Sequence, residues 1–260
     1  MFSLATFNVN SVRARLHVLI PWLERHQVDV ICLQETKVTD EVFPQDAFRD
    51  IGYNVAFKGQ KSYNGVAIAS RHAIEDVAVG FDGTNGPVDA SRLLRCRVQG
   101  VSIVNTYVPQ GRAIDHENYA YKLQWFDRLA ALFDAEYSPA EDLVWCGDLN
   151  VAPKPEDVHD PDSHRNHVCF HEAVRQAFAR TRTWGFEDLF RRFHPEPGQY
   201  TFFDYRRRGS VQRGLGWRID HILVTPSMAH RAKDCSIDLQ PRLETKPSDH
   251  TVLMATFDLS

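Results

Sequence analysis

The sequence contains few cysteines, no C-x-x-C motif and no long apolar run. Its five cysteines are scattered and odd in number, so they predict neither a disulfide framework nor a zinc site and favour reduced thiols. No apolar stretch reaches the roughly 18 residues of a membrane span, and the first residues, MFSLATFNVN, lack the charged and apolar regions of a signal peptide. We therefore predict a cytoplasmic protein that is neither exported nor inserted in a membrane.

A large excess of charge is also lacking. The formal net charge of −4 and the isoelectric point near 6.3 argue against a protein that holds nucleic acid by bulk charge, but they allow a local basic rim around an acidic centre. A hydrophobic content of 43% and a charged content of 25% indicate a soluble globular protein. Since no linker, repeat or low-complexity tract divides the 260 residues, we expect a single domain over residues 1–260.

The apolar pattern predicts both helices and strands. Helical spacing indicates helices at 11–27, 116–134 and 171–180, and Pro21 predicts that the first helix kinks or begins late. Pro153 to His167 is predicted to be an exposed, irregular loop. Short apolar runs predict strands at 3–9, 28–35, 53–58, 65–70, 74–81, 93–98, 101–108, 143–146, 200–205, 217–225 and 251–259. We expect one α+β domain in which sheet packs on sheet with helices outside.

One buried strand ends in a carboxylate and a carboxamide. The apolar run 143–146 stops at Gly147, and Asp148 and Asn150 follow it. Ligands bind at the carboxyl ends of strands in open α/β sheets. Asp, Asn and Gly also form ordinary turns, so this motif alone does not distinguish a binding site from a turn.

Several other predicted strands end in similar polar residues. If their acidic side chains converged, they would repel one another unless a cation lay between them. Mg²⁺ takes such oxygen ligands together with water and substrate phosphate, and a candidate set with no cysteine and few histidines favours Mg²⁺ or Mn²⁺ over zinc. A histidine beside an aspartate and a tyrosine able to donate complete the parts for metal-assisted phosphodiester hydrolysis. The residues are Asn8, Glu35, Tyr107, Asp148, Asn150, Asp220, Asp249 and His250.

A set of longer segments, in order along nearly the whole chain, carries a resemblance to a known family. They are FNVNSVRAR, DVICLQETKV, FPQDAF, GYNVAFKGQKSYNGVAI, VNTYVPQG, GDLNVAP, TFFDYRR, GLGWRIDHIL and KPSDH. LQE, GDLN and SDH also occur in deoxyribonuclease I and sphingomyelinase relatives, whereas the combination with NTYVPQG, FDYR and GWRID is specific. In that combination the chain resembles the exonuclease III family of bacterial apurinic/apyrimidinic (AP) endonucleases, within the endonuclease/exonuclease/phosphatase superfamily.

The resemblance implies a fold and a metal site. The fold is an α/β, four-layered sandwich of two mixed β-sheets packed face to face, with helices outside and the active site at one edge. Glu35 is implied as the principal ligand of Mg²⁺, for which Mn²⁺ is a possible substitute. Asn8, Asn10 and Asp249 support it.

The resemblance also implies catalytic roles. Asp148 would orient or deprotonate the attacking water, and Asn150 would position that water and a phosphate oxygen; both also belong to the implied metal site. His250, paired with Asp220, would hold the scissile phosphate or share the proton transfer. Tyr107 would donate to the phosphate as negative charge develops. The sequence leaves open whether Asp148 or His250 is the base.

The substrate side is assigned less directly. A pocket for a flipped-out abasic sugar is apolar and aromatic in this family, and Phe202, Trp217 and Ile219 occupy the matching motifs, although ordinary core packing is an alternative. Gln110 belongs to the same implied groove. Several basic residues are candidates to contact phosphates along a duplex. For each of them the alternative is an ordinary solvated residue on the surface. These are Arg13, Arg15, Lys37, Lys58, Lys61 and Arg206 to Arg208.

Two features depart from the family pattern. Ser11 stands where glycine is common, and we interpret it as a helix N-cap, where serine is favoured. The 153–171 loop carries His159, His164, His167 and His171. His167 is a candidate to bind phosphate when protonated or to narrow the pocket, with a solvated loop residue as the alternative. A narrowed pocket would weaken internal abasic incision and leave 3′-end trimming intact.

The resulting prediction is a monomeric, Mg²⁺-dependent DNA repair nuclease that acts on double-stranded DNA. It would cleave the phosphodiester 5′ to an abasic site and remove 3′-phosphates, blocked 3′ sugars and nucleotides from duplex ends. A phosphodiesterase acting on lipid or inositol phosphates is one alternative. Another is a DNA-binding module without catalytic activity. Such a module would lack one or more of the catalytic residues, but Glu35, Asp148 and His250 are all present in this chain.

Overall fold

The computed structural model, which describes residues 1–260, has two six-stranded sheets packed face to face. The first sheet contains, in spatial order, β11 (Ala232–Asp238), β12 (Val252–Phe257), β1 (Phe2–Asn8), β2 (Val30–Gln34), β4 (Val66–Ser70) and β3 (Asn54–Lys58). The second contains β5 (Glu75–Val79), β6 (Leu93–Val98), β7 (Val101–Tyr107), β8 (Leu143–Asp148), β10 (Asp220–Val224) and β9 (Glu187–Asp188). Within each sheet one inner pair is parallel, β1 with β2 and β7 with β8, and the other pairs are antiparallel. The expected mixed sheets are confirmed.

The first four helices cover the outer faces of the sheets, whereas the short helices at 189–193 and 226–231 pack against the core between the sheets. They are α1 (Val12–His26), α2 (Gln45–Arg49), α3 (Glu117–Glu136), α4 (Glu172–Arg182), α5 (Leu189–Phe193), α6 (Pro226–Arg231) and α7 (Gln240–Leu243). None of them has the length and the apolar character needed to cross a bilayer.

Alternating residues of the central strands divide the core into layers. On β8, Val144 and Cys146 pack between the sheets, whereas Leu143 and Trp145 pack under α3 and α4. The strand is therefore buried on both faces, as its continuous apolar run predicts. β1 and β2 alternate in the same way between the space under α1 and the space between the sheets. The result is four layers, and the five buried cysteines within them are all free.

The two parallel pairs bring polar strand ends to one edge. Asn8 at the end of β1 is level with Gln34 at the end of β2, and Tyr107 at the end of β7 is level with Asp148 at the end of β8. β10 runs antiparallel to β8, so its first residue, Asp220, also pairs with Asp148. Strand ends that are distant in sequence therefore meet at a single edge.

Several sequence-based boundaries were wrong. The first helix, predicted at 11–27, spans Val12–His26, so the alternative of a late start at Pro21 was wrong and Pro21 lies inside the helix. Residues 200–205 do not form a strand, because Phe202 makes only isolated bridges to Trp217 and His250. β11 was missed, since its exposed positions hide the apolar alternation. The 153–167 segment is only partly exposed: it contains a short 3₁₀ helix, Pro155–Asp157, and its Val158 is buried.

Ser11 is not a side-chain cap. It occupies the N-cap position of α1, but its side chain makes no capping hydrogen bond, and its φ of 87° lies in the left-handed region. The backbone N–H of Ser11 instead donates to the Glu35 carbonyl oxygen over 2.7 Å. A positive φ explains why glycine suits this position, and serine has to accept the steric strain there.

Candidate active site

Two carboxylates and an imidazole meet at the shared edge of the sheets. Ligand atoms of Glu35, Asp148 and His250 all lie within 4.8 Å of one another. Glu35 directly follows β2, Asp148 ends β8, and His250 precedes β12. The site is therefore built from both sheets, and the convergence expected from the strand ends is observed.

Asn8 links the two carboxylates across the sheets. Its Nδ2 donates to Glu35 Oε1 over 2.8 Å and to Asp148 Oδ2 over 2.9 Å. Its Oδ1 accepts a bond from the backbone N–H of Asn10 over 3.0 Å. Asn8 thus orients the carboxylates with its amide nitrogen, and its oxygen is engaged elsewhere.

Asn10 and Lys37 form the outer part of the acidic site. Asn10 Nδ2 donates to Asp249 Oδ1 over 2.9 Å, and Lys37 Nζ donates to Asn10 Oδ1 over 2.5 Å. The same ammonium group lies 2.7 Å from Glu35 Oε2. The pKa of Glu35 is lowered, because the charge of Lys37 and the hydrogen bonds outweigh the burial that opposes ionisation. Glu35 is therefore ionised at neutral pH.

His250 is held between two aspartates. Its Nδ1 is 2.8 Å from Asp220 Oδ2, and its Nε2 is 3.7 Å from Asp148 Oδ2. Asp220 is fully buried, and its backbone N–H donates to the hydroxyl of Thr201 over 3.2 Å. Burial opposes the charged imidazole, but the carboxylates of Asp220 and Asp148 outweigh it and raise the pKa of His250 to about 10.

Asp148 is the carboxylate whose ionisation is most perturbed. Burial, together with the charges of Asp220 and Glu35, raises the pKa of Asp148 to about 7 in spite of the nearby imidazolium of His250. The backbone N–H of Asn150 donates to Asp148 Oδ1 over 2.9 Å and fixes the carboxylate in place. A carboxyl group with a pKa near neutrality is suited to take a proton from water.

Tyr107 contributes a neutral phenol to the same cleft. Burial, reinforced by the carboxylates of Glu35 and Asp148, raises the pKa of Tyr107 well above its ordinary value. The guanidinium of Arg92 lies 4.7 Å from the centre of the tyrosine ring and also donates to the Tyr107 carbonyl oxygen over 3.1 Å. The hydroxyl therefore keeps its proton and is able to donate it in a hydrogen bond.

These groups line a cleft of about 470 Å³. Phe202, Trp217 and Ile219 are among the residues that line it, and the Phe202 ring lies 5.0 Å from that of His250. Their role in binding an abasic sugar stays a prediction. His167 is exposed at the mouth of the cleft, with its ring 4.5 Å from that of Trp217. Partial desolvation of its ring, together with the charge of the neighbouring His164, lowers the pKa of His167 to about 4. The imidazole is therefore neutral at neutral pH and does not supply the positive charge expected of a phosphate ligand.

The candidate phosphate-binding residues are dispersed. Arg206 and Gln110 line the cleft, although Arg206 is also paired with Asp204. Arg13 is exposed and does not line the cleft, and Lys58 pairs with Asp40. Arg207 also lines the cleft, and its guanidinium lies 3.1 Å from His159 Nε2 and 3.4 Å from His164 Nε2. Arg15 donates to Tyr205 and Pro247, and Lys61 and Arg208 are exposed.

Three supporting residues were missed at the level of sequence. Thr201 accepts hydrogen bonds from Ile219 and Asp220, and the hydroxyl of Ser248 donates to the Asn8 carbonyl oxygen over 2.7 Å. Both lie inside the motifs TFFDYRR and KPSDH, which was the available signal. Lys122, a charged residue on the apolar face of α3, is fully buried behind the cleft.

Comparison with known proteins agrees with this geometry. The sequence profile described as the Endonuclease/Exonuclease/phosphatase family matches residues 5–250. Exodeoxyribonuclease III of Haemophilus influenzae is 34% identical over 97% of this chain and 98% of its own length. The structure of an AP endonuclease from Archaeoglobus fulgidus superposes with a TM-score of 0.97 at 52% identity over 100% of both chains. The 3′ phosphatase NExo from Neisseria, bound to a product DNA hairpin, gives a TM-score of 0.93 at 38% identity over 99% of this chain and 100% of that one. The chain therefore belongs to the endonuclease/exonuclease/phosphatase family, and its resemblance to the exonuclease III family is confirmed.

Proposed function

We propose that this chain is a metal-dependent DNA repair nuclease with two linked activities. It incises duplex DNA 5′ to abasic sites, and it removes 3′-phosphates, blocked 3′ sugars and nucleotides from duplex ends. The observation that carries the proposal is the meeting of Glu35, Asp148 and the His250–Asp220 pair at the base of one cleft. The names of the relatives, which include an exodeoxyribonuclease III, an AP endonuclease and a 3′ phosphatase, support the same substrate class.

The donor atoms fit a hard divalent cation. Carboxylate oxygens of Glu35, Asp148 and Asp249 and the amide oxygen of Asn150 lie in the cleft, and no cysteine thiolate competes for the ion apart from the buried Cys169. Oxygen donors of this kind favour Mg²⁺, with Mn²⁺ as a substitute. We propose that Glu35 is the principal ligand. When bound, the ion would neutralise charge that develops on the phosphate.

The chain's own residues divide the proton transfers. Asp148 accepts a proton from the attacking water as the water oxygen bonds to phosphorus. The carboxylates of Asp220 and Asp148 raise the pKa of His250 and favour its cationic form, so we assign it to holding the phosphate and Asp148 to the role of base. Tyr107 donates a hydrogen bond to a phosphate oxygen as its negative charge grows. In abasic incision the bond from phosphorus to O3′ breaks, O3′ takes up a proton from solvent water to leave a 3′-hydroxyl, and Asp148 returns its proton to solvent.

The cleft also suggests how the substrate is chosen. Phe202 and Trp217 offer aromatic faces for a sugar that lacks its base, since such a nucleotide is readily unstacked from the duplex. Arg206 at the rim is placed for a backbone phosphate. We propose that one chain, acting as a single domain and as a monomer, contains the complete site.

A second candidate is an enzyme devoted mainly to 3′ ends. The observation in its favour is His167, whose neutral ring stands beside Trp217 at the mouth of the cleft. A flipped abasic sugar inside a strand has to pass this ring, whereas a terminal 3′-phosphate approaches from a free end. The similarity to a 3′ phosphatase is consistent with this candidate.

The experiment that tests both candidates is a time course on two labelled duplexes. One carries an internal abasic analogue and the other a recessed 3′-phosphate, and each reaction is run with Mg²⁺ and with EDTA. Cleavage of both supports the first candidate, and processing of the 3′ end alone supports the second. No metal-dependent product from either duplex, together with hydrolysis of sphingomyelin or a phosphoinositide, would refute the nuclease assignment.

A further inference from the structure

Lys122 is a buried lysine without a carboxylate partner. It lies on the inner face of α3 between Tyr119 and Trp125, and its side chain is fully buried. Lysine is almost never fully buried unless it is paired, because removing an ammonium group from water is costly. An apolar side chain of the same length would fill the same volume without the cost of burying a charge. Packing alone therefore does not explain a lysine at this position.

The ammonium group is satisfied by three backbone carbonyls. Lys122 Nζ donates to the carbonyl oxygen of Asn150 over 2.6 Å, of Val168 over 2.8 Å and of Gln110 over 3.1 Å. A lysine has three N–H donors only when it is protonated, since the neutral amine has two. The set of three acceptors therefore selects the charged form.

The three carbonyls belong to three separate segments of the cleft. Gln110 follows β7 and lines the cleft, and Asn150 follows β8 and also lines it. Val168 lies between His167 and Cys169, which both line the cleft. One nitrogen atom behind the cleft thus joins the segments that carry much of its lining.

Asn150 shows why such an anchor is needed. Its φ of 49° lies in the left-handed region, which asparagine tolerates better than most residues but which leaves its backbone to be held by local hydrogen bonds. Three hydrogen bonds hold it there: its N–H to Asp148, its Nδ2 to the Val108 carbonyl oxygen over 3.0 Å, and its own carbonyl from Lys122. Loss of the third bond releases the carbonyl of the residue whose N–H fixes the Asp148 carboxylate.

We propose that Lys122 is a positioning residue of the nuclease site, acting through Asn150 and the segments at Gln110 and Val168. The inference rests on the proposed function, and it requires no contact between Lys122 and DNA. Its loss therefore lowers kcat and leaves KM nearly unchanged, because a small displacement of the reacting groups costs turnover before it costs binding. A residue that only stabilised the fold would change neither parameter in folded enzyme.

The test compares Lys122→Met and Lys122→Arg with the control Leu129→Ala. Leu129 is a fully buried core residue farther along α3 that does not line the cleft, so its truncation weakens the core alone. We would measure kcat and KM for release of phosphate from the recessed 3′-phosphate duplex with Mg²⁺, well below the melting temperature of each variant. Lys122→Met is expected to lower kcat by about 30-fold or more with KM within about threefold. Lys122→Arg keeps the charge and the donors and should recover part of the loss.

The outcomes separate the inference from the proposed function. Wild-type kcat in folded Lys122→Met, or an equal loss in Leu129→Ala, would overturn the positioning role while the wild-type activity upheld the nuclease assignment. An inactive wild-type enzyme would refute both. If Lys122→Met does not fold, Lys122→Gln, which keeps two donor hydrogens, takes its place: an intermediate kcat supports the role, and an unchanged kcat overturns it.

Discussion

Asn8 and Asp148 lie 140 residues apart in sequence and on different sheets, and a hydrogen bond of 2.9 Å joins their side chains. Because Asn8 also binds Glu35, one amide group sets the distance between the two carboxylates of the site. The relative position of the two sheets therefore determines whether the proposed metal ligand and the proposed base lie close enough to act on the same phosphate.

Asp148→Asn tests the base. Asparagine keeps the size of the side chain but takes up no proton from water, so turnover on both labelled duplexes should fall by about 10²- to 10⁴-fold. DNA binding, measured by fluorescence anisotropy, should be retained, because the change removes negative charge from the cleft. The control is Asp134→Asn, an exposed position on α3. An Asp148→Asn enzyme with wild-type kcat would remove Asp148 from the reaction.

Glu35→Gln tests the metal ligand. Loss of an outer partner of a metal site commonly weakens metal binding by about 10- to 100-fold, so loss of a direct ligand should weaken it at least about tenfold. Binding of Mn²⁺ would be followed by electron paramagnetic resonance without DNA, which makes the readout independent of activity. Exposed Glu24→Gln is the control. Unaltered Mn²⁺ affinity in the Glu35 variant would show that the ion binds elsewhere.

His167→Ala tests whether the loop restricts the pocket. Removing the ring beside Trp217 should raise abasic incision relative to 3′-phosphate removal by roughly tenfold or more, since discrimination in such pockets spans about 10- to 200-fold. The ratio of the two rates on the labelled duplexes measures the effect. Arg165→Ala, an exposed change on the same loop, should leave the ratio as it is. A ratio unchanged in both variants would mean that His167 is a solvated loop residue.

His221 predicts a loss of stability in mild acid. It is fully buried, with its Nδ1 3.0 Å from the Arg218 guanidinium and its Nε2 2.8 Å from the Val151 carbonyl oxygen. Burial, together with the charge of Arg218, lowers the pKa of His221 to about 4. In the unfolded chain the pKa is about 6.5, so below that pH the unfolded state binds the proton more readily.

The stabilisation from neutral His221 is therefore complete above about pH 6.5 and is lost as the pH falls toward 4, by about 3 kcal/mol in all. Urea unfolding of the wild type and of His221→Gln between pH 7 and about pH 4.5 measures it as a difference, because the raised pKa of Asp148 changes the stability of both proteins in the opposite direction over the same range. His221→Gln should flatten the decline in this window, and exposed His230→Gln should not. An equally steep decline in His221→Gln would assign the acid sensitivity to other groups.

Arg218→Met tests the buried ion-pair cluster behind the cleft. Arg218 donates to Asp157 over 2.7 Å and to Asp188 over 2.7 Å, and all three side chains are nearly inaccessible to solvent. Removing the cation leaves the buried Asp188 without an ion-pair partner and Asp157 with Arg191 alone, so the free energy of unfolding should fall by about 3–5 kcal/mol. Arg192→Met removes the exposed pair with Glu187 and should cost at most about 1 kcal/mol. If both variants lowered the free energy of unfolding by similar amounts, burial would not explain the contribution of Arg218.

Much of the fold was predictable from local patterns. The strand β6 was predicted with its observed bounds, and most other strand and helix predictions differ from the structure by a few residues at their ends. The errors have physical causes. β11 pairs with β12 through its backbone while many of its side chains face solvent, so its apolar alternation is weak. Residues 200–205 contain aromatic residues that suit a strand, but their packing against Trp217 and His250 gives isolated bridges.

The sequence by itself determined which chemistry is possible, because oxygen-bearing side chains at the ends of apolar strands and the motifs around them are local features. Tertiary structure alone decided which of these groups act together. Only the packing of the two sheets brings Asn8 to Asp148, and only the docking of α3 places Lys122 against three cleft carbonyls. Such contacts depend on the relative position of segments far apart in the chain, which no periodicity along one segment specifies. The perturbed pKa values of Asp148 and His250 likewise arise from burial and from neighbouring charges, which exist only after folding.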